Sequence, residues 1–331
     1  MSRSRVQGIE RAIFGDVAQA EVDDWLDRLV STRLSANLGE VIFRRGRVSA
    51  VFGLRLDDAR RVVAKVHRGQ PVHASLTAAA GGQHRLADHG YPAPFPIDGP
   101  SVLDGDVAVI ESLLDVGSPA DAHDPVVRTA MAASLAEQIR ILADVSLPTA
   151  LTERPAWAIY AGGPWPTPHD PIFDFTVTSP GFEWLDEFAQ QASDVLVAAE
   201  LPPVLGHSDW TAGNVLVLDG VVTAAFDWDS LVIDSEAVLV GRTAGGFTAS
   251  SIAGANAPTP DEVVAFLADY ETHRPTCFTV AERHVALNAA YWVLSYNARC
   301  ILSLVGADSP PPTGSALAAL SDHRDDYRSL T

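Results

Sequence analysis

The chain reads as an α+β protein of two lobes, a small N-terminal one built on an antiparallel sheet and a larger, mostly helical C-terminal one. Three observations predict this. Its 331 residues exceed what one small core needs. Its β-type runs cluster between residues 40 and 67, and its later part carries apolar residues mainly at helical spacing around one apolar hairpin near residue 220. The apolar fraction of 47% is enough for the chain to be globular.

Residues 9–34 place Ile13, Phe14, Val17, Val22, Trp25, Leu26 and Leu29 on one side of a helical pattern, with Asp and Arg on the other, and read as structural helices. From 40 to 67 the period shortens. Val41-Ile42-Phe43, the run 50–56 and the run 62–66 form three strands in a meander, with Asp57-Asp58 at the second turn. Lys65 lies inside an apolar strand, VVAKV, where an unpaired ammonium is costly; it needs a ligand or a carboxylate, unless an edge strand turns it to water. The turn 44–49 has the single glycine Gly46, with Ser49 and three arginines beside it.

A helix over 74–89 follows, weakened by Gly81-Gly82 at about 1 kcal/mol each relative to alanine. No acid occurs between Asp58 and Asp88, and Gln83 is the nearest polar substitute. Residues 107–114 read as a strand entering a connector. Asp124 and Pro125 are an N-cap and first helical residue for a helix through 143. The segment 153–178 is rich in Pro, Gly and aromatics; Trp157, Tyr160, Trp165, Phe173 and Phe175 either wall a ligand site or pack on the large lobe. A helix then runs from Ser179-Pro180 to about residue 200, its Glu183, Asp186 and Glu187 complementing the helix dipole. Past a Gly/Ser/Ala-rich connection, Thr259 with Glu262 and Thr279 with Glu282 form capping boxes for two more helices, and a short one follows the prolines at 310–312.

The stretch 204–234 carries the chemistry. It holds His207-x-Asp209-x-x-x-x-Asn214, two β-branched runs about an Asp219-Gly220 turn, and Asp227-Trp228-Asp229. Such a hairpin returns the chain to its start and brings Asp209, Asn214 and Asp227 to one end. Phosphoryl transfer needs that set: a carboxylate to orient an attacking hydroxyl, and a carboxylate with an amide oxygen to hold Mg2+ against nucleotide phosphates. The bland alternative is an Asx-rich surface hairpin.

HSDWTAGN followed by FDWD resembles the signatures of the aminoglycoside phosphotransferase and choline kinase family, distant relatives of the protein kinases. The resemblance spans roughly 40–299 and implies a two-lobed protein-kinase-like fold, with N-terminal helices at 1–38, a nucleotide-binding N-lobe at 39–110 and a catalytic, acceptor-binding C-lobe at 111–331. It implies ATP and Mg2+ as cofactors, Asp209 as the base, Asn214 and Asp227 as metal ligands, and His207 as a support beneath the loop. Ser208 stands where the family has glycine. Lys65 matches the lysine that reaches the phosphates, Ser49 lies in the nucleotide loop, and main-chain groups around Glu111, Ser112 and Leu113 match the hinge that bonds adenine. The family's acceptors point to a hydroxylated amine, an aminoglycoside, amino sugar or choline-like molecule; homoserine, a methylthiosugar and a macrolide stay open. The family's helix glutamate is missing, so the partner of Lys65 is expected to be Asp227 or a backbone carbonyl, with no N-lobe carboxylate as near. The same departure, together with the glycine-poor loop, motivates a rival reading, a nucleotide-binding protein without catalysis.

A net charge of −19 and a pI near 4.7 disfavour nucleic acid and anionic membrane surfaces as partners and suit a cationic or neutral one, while serving solubility equally well. Cys277 and Cys300 sit beside apolar residues and read as reduced, buried thiols, consistent with a cytoplasmic protein. The N-terminus shows no signal-peptide pattern. Residues 285–305 approach a membrane span in length, but Asn288, Asn297 and Arg299 interrupt them, so a buried helix is expected. Oligomeric state is not legible.

Overall fold

The computed structural model describes residues 5–67, 73–152, 158–170, 172–176, 180–250 and 256–330. The chain divides into two compact units, Met1–Asp115 and Val116–Thr331.

In the first unit, α1 (Gly8–Phe14) and α2 (Gln19–Leu34) precede β1 (Leu38–Arg45), β2 (Ala50–Leu56) and β3 (Arg61–His67); α3 (His73–Asp88) leads to β4 (Pro96–Leu103) and β5 (Asp106–Ser112). The five strands lie in the order β1-β2-β3-β5-β4, every pair antiparallel. The alternation of strand side chains splits the sheet into two faces. Phe52, Leu54, Leu56, Val62, Ala64, Val66, Ala108 and Ile110 share a buried core with Val22, Trp25, Leu26 and Leu29 of α2. Val107 and Val109 face the other way and pack with Leu76 of α3. Lys65, paired with Val109 across the β3–β5 ladder, and Glu111, two residues along, share that second face. Strand β4 was not legible because Pro96, Gly99 and Pro100 read as breakers. It lies at the sheet edge, where proline's missing N–H breaks no ladder bond.

The second unit holds α4 (Pro125–Leu142), α5 (Glu183–Ala198), β6 (Pro203–His207), β7 (Val215–Leu218), β8 (Val221–Ala225), β9 (Leu231–Ser235), α6 (Glu236–Ala244), α7 (Pro260–Glu271), α8 (Val280–Val305) and α9 (Ala316–Arg328). The expected caps are present: Asp124 accepts from the Val126 N–H at 2.8 Å, and Thr259 with Glu262 and Thr279 with Glu282 close reciprocal boxes. Helix α5 begins at Glu183, later than the sequence placed it, because Gly181 takes a positive φ of 85° that a helix cannot continue; Ser179 lies outside the described residues. Helix α8 packs against α5, α6 and α9. Its contact with α6 depends on Gly241 and Gly245, where a Cβ would come within 2.0 Å of the Ala286 carbonyl oxygen and 2.3 Å of that of Ala290. The polar interruptions of α8 are accommodated inside the protein: Asn288 donates to the His284 carbonyl at 2.9 Å, and the Arg299 guanidinium lies 5.2 Å from the Phe175 ring centre. Burial lowers the Arg299 pKa, against the opposing pull of Asp186 and Asp174. No helix among the described residues is long and apolar enough to cross a membrane. One cysteine corrects the sequence reading. Cys300 is buried, but Cys277, in the turn before α8, is exposed, since the neighbouring Phe278 takes the buried position.

Candidate active site

The site in the second unit is built around the ring of His207. Strand β6 delivers it, pairing His207 with Leu231 of β9, while the Ser208 N–H and hydroxyl both donate to the Ser230 carbonyl at 3.0 and 2.7 Å. The imidazole is fully buried and stands edge-on to two indoles, Trp210 at 5.6 Å and Trp228 at 5.2 Å. Both indoles are anchored, Trp210 on the Met131 carbonyl and Trp228 on the Ala225 carbonyl. The His207 Nδ1 accepts the Asp209 N–H at 3.1 Å; Nε2 must then carry the proton, which it donates to the Phe226 carbonyl at 3.0 Å. One ring therefore ties the main chain at 209 to the residue before Asp227.

Asp209 is exposed between buried Ser208 and Trp210. Asn214 donates through Nδ2 to the Asp209 main-chain oxygen at 2.9 Å and to its Oδ2 at 3.0 Å. The planar amide then directs Asn214 Oδ1 to the opposite side. Asn214 closes a 3-10 turn that is pinned from outside, Ala212 N–H to Phe247 and Gly213 N–H to Ala249, both at 2.8 Å. The hairpin β7–β8 turns at Asp219 and Gly220, with φ of 50° and 74°, the left-handed pair that the sequence Asp-Gly favours. It brings the Phe226 N–H back to the Asn214 carbonyl at 2.8 Å. Asp227 follows at φ 69°, ψ 42°, a left-handed conformation that aspartate tolerates better than most side chains, and its carbonyl accepts the Ser230 N–H at 3.0 Å. The main chain thus brings the segments that carry Asp209, Asn214 and Asp227 together. Strand β9, which carries Ser230's neighbours, was not read from the sequence; its run Leu231–Ser235 is short and broken by Asp234.

Among the described residues no group of three or more His, Cys, Asp or Glu side chains is placed to hold a metal. An amide oxygen at 214 and a carboxylate at 227 suit Mg2+ nonetheless, since that ion retains water and draws further oxygens from phosphates.

The first unit places the other candidates. Lys65 is 6% exposed, and its Nζ lies 3.9 Å from Oε1 of Glu111, itself 2% exposed. The other Glu111 oxygen accepts from Gln83 Nε2 at 2.8 Å, and the same nitrogen reaches the Pro94 carbonyl at 2.8 Å. A carboxylate of the same unit thus stands near Lys65, on β5, a strand that sequence analysis treated only as hinge backbone. At the expected hinge, Ser112 gives its N–H to the Phe95 carbonyl at 2.9 Å and Leu113 gives its to the Arg61 carbonyl at 3.3 Å. Ser49 is buried beside the β1–β2 turn. Gly46 there has φ 132°, and a Cβ would meet the Ser49 carbonyl oxygen at 1.9 Å, so only glycine fits. Arg44, counted among the loop arginines, bonds Glu10 and Asp23 of the N-terminal helices instead.

In the aromatic segment, Tyr160 is buried and donates to Asp234 at 2.5 Å, edge-on to Trp292. Trp165 donates to Asp186 of α5 at 2.6 Å, Phe175 meets Tyr296 of α8, and Phe173 lies against His169. Packing on α5 and α8 accounts for Tyr160, Trp165 and Phe175; Trp157 lies outside the described residues.

A family model described as the phosphotransferase enzyme family matches residues 41–276. A comparison with curated proteins gives no match. Among solved structures, an amicoumacin kinase in complex with AMP-PNP, Ca2+ and Ami aligns at TM-score 0.62 and 12% identity, covering 95% of this chain and 97% of that one. A mutant aminoglycoside phosphotransferase in ternary complex with AMP-PNP and hygromycin B aligns at 0.53 and 13%, covering 92% and 97%. An AMP-bound spectinomycin phosphotransferase aligns at 0.52 and 14%, covering 93% of each chain. At such identities the likeness is one of fold: an α+β architecture with an N-terminal antiparallel sheet and a helical C-terminal region.

Proposed function

We propose that this chain, which belongs to the phosphotransferase enzyme family, moves the γ-phosphoryl group of ATP to a hydroxyl of a small hydroxylated amine. The observation that carries the reading is the constellation at 209, 214 and 227: an exposed carboxylate held by an amide, with a second carboxylate tied to the same loop through His207. In this reading Asp209 orients the acceptor hydroxyl and takes its proton as the new O–P bond forms and the bond from the γ-phosphorus to the bridging oxygen breaks, with ADP as the leaving group. Asn214 Oδ1 and Asp227 hold Mg2+, which would neutralise phosphate charge when bound. Lys65 supplies a fixed positive charge to the phosphates. The main chain at Ser112 and Leu113 offers carbonyl oxygens to the adenine edge, its two donors being engaged. Ser49, buried under the turn, keeps only a main-chain part in the nucleotide loop.

The net charge of −19 supports a cationic acceptor, and the small-molecule kinases that share the fold support a small one. The rival without catalysis loses its main motive, because a carboxylate does stand by Lys65. The test is an acceptor screen with Mg2+ and ATP, scored by phosphorylated product, with Asp209→Asn beside it. Wild-type protein should phosphorylate at least one hydroxylated amine, while Asp209→Asn loses turnover by about 100-fold or more with nucleotide affinity nearly unchanged. A variant as fast as wild type would remove Asp209 from this role, and activity confined to acceptors without an amine would remove the acceptor class.

A further inference from the structure

Lys65 and Glu111 are brought together by strand register. Across the β3–β5 ladder Lys65 pairs with Val109, and Glu111 lies two residues along the same face, the diagonal position that long side chains span. Both are nearly removed from water, so each charge is stabilised by the other. At 3.9 Å the contact is one of charge, beyond hydrogen-bond reach. The carboxylate is in turn oriented from α3 by the Gln83 amide, which also clasps the Pro94 carbonyl. The helix, with no acid before Asp88, contributes a neutral amide, and the strand contributes the charge.

Resting on the phosphotransferase reading above, we propose that Glu111 is the residue that positions Lys65 for the nucleotide phosphates, and that Gln83 acts on Lys65 only through Glu111. The lysine and its carboxylate then belong to one sheet, so their pairing is set by ladder register and not by where α3 sits. A shift of the helix would cost the amide bond and leave the ion pair.

The test uses the full chain with Glu111→Gln, Gln83→Glu and the double swap, each verified by its thermal transition. Two readouts are taken: kcat and KM for ATP, and the titration of Lys65 Nζ by 15N NMR without nucleotide. Glu111→Gln should lower kcat about 10- to 100-fold, the loss that a misplacement of about 1 Å brings, with a smaller change in KM. The double swap, which moves the carboxylate to the helix and leaves an amide on the strand, should stay as impaired as Glu111→Gln, since position 83 acts only through 111. The Lys65 titration should fall in Glu111→Gln, because removing a nearby counter-charge disfavours a buried ammonium, and should stay low in the swap. Wild-type kcat in Glu111→Gln, or a folded swap that regains wild-type kcat, would overturn the proposal, as would an unmoved Lys65 titration. The titration needs no acceptor, so it separates failure of this inference from failure of the phosphotransferase reading. If Glu111→Gln does not fold, Gln83→Leu serves: it should lower kcat several-fold with the Lys65 titration shifted only slightly, and kcat equal to wild type would overturn the role of Gln83.

Discussion

At residue scale, the candidate residues of each unit depend on a few side chains that each make two bonds. His207 joins Asp209 to Phe226, Asn214 joins two oxygens of Asp209, and Gln83 joins Glu111 to Pro94. Of these only the Gln83 bonds are buried, and removing that amide leaves a buried acceptor unsatisfied at about 1–3 kcal/mol. The residue to be tested first is Asp227, half-buried beside the fully buried Trp228. Asp227→Ala should abolish the Mg2+ dependence of nucleotide binding, measured by calorimetry with AMP-PNP at varied Mg2+, while the thermal transition stays near wild type. Wild-type affinity with full Mg2+ dependence would show that the ion is held elsewhere. Asp209, Asn214 and Asp227 were singled out by type and spacing, and Lys65 by its place in an apolar strand and by resemblance. Glu111 was named for its backbone alone, since nothing in a strand sequence states which neighbour its side chain meets.

At element scale, the caps were readable because they are local. The Thr279 N–H and hydroxyl both donate to Glu282, at 2.7 and 2.8 Å, and these bonds hold its carboxyl below the usual range, the main-chain bond contributing most. The sign follows from the folded pKa lying below the unfolded one. The stabilisation is fully present above the unfolded value and is lost as pH falls through the folded value. The difference in unfolding free energy between wild type and Glu282→Gln should therefore be constant near neutrality and shrink on acidification below about pH 4.5. A pH-independent difference in urea unfolding would refute the capping account. Thr279→Ala should cost about 1 kcal/mol at neutral pH by the same measurement. Elements without a local signature were missed: β4 because its prolines resemble a loop, and β9 because five residues carry too little pattern to register.

For the whole molecule, each unit has its own most protected element. In the first it is the sheet interior, β2, β3 and β5, whose side chains fill the core shared with α2. In the second it is α8, with 15 buried residues among its 26 and three helices packed on it. Native-state hydrogen exchange should therefore be slowest at β2, β3 and β5 in one unit and at the middle of α8 in the other, and fastest at α1, which has no buried residue. Slower exchange in α1 than in α8 would contradict this ordering.

The amino-acid order by itself determined the class of the fold, the strands of the N-terminal meander, the helix caps, the Asp-Gly hairpin and the cluster it gathers. All of these depend on interactions a few residues long or on a period that repeats along one segment. It also determined that Lys65 and Glu111 each point to one side of their strands. What only the tertiary structure decided is that β3 and β5 are neighbours, in the register that sets Lys65 against Val109 and so within reach of Glu111. Parity along a strand is a local property of the backbone, whereas pairing between strands 40 residues apart is chosen by the burial of the whole sheet against its helices.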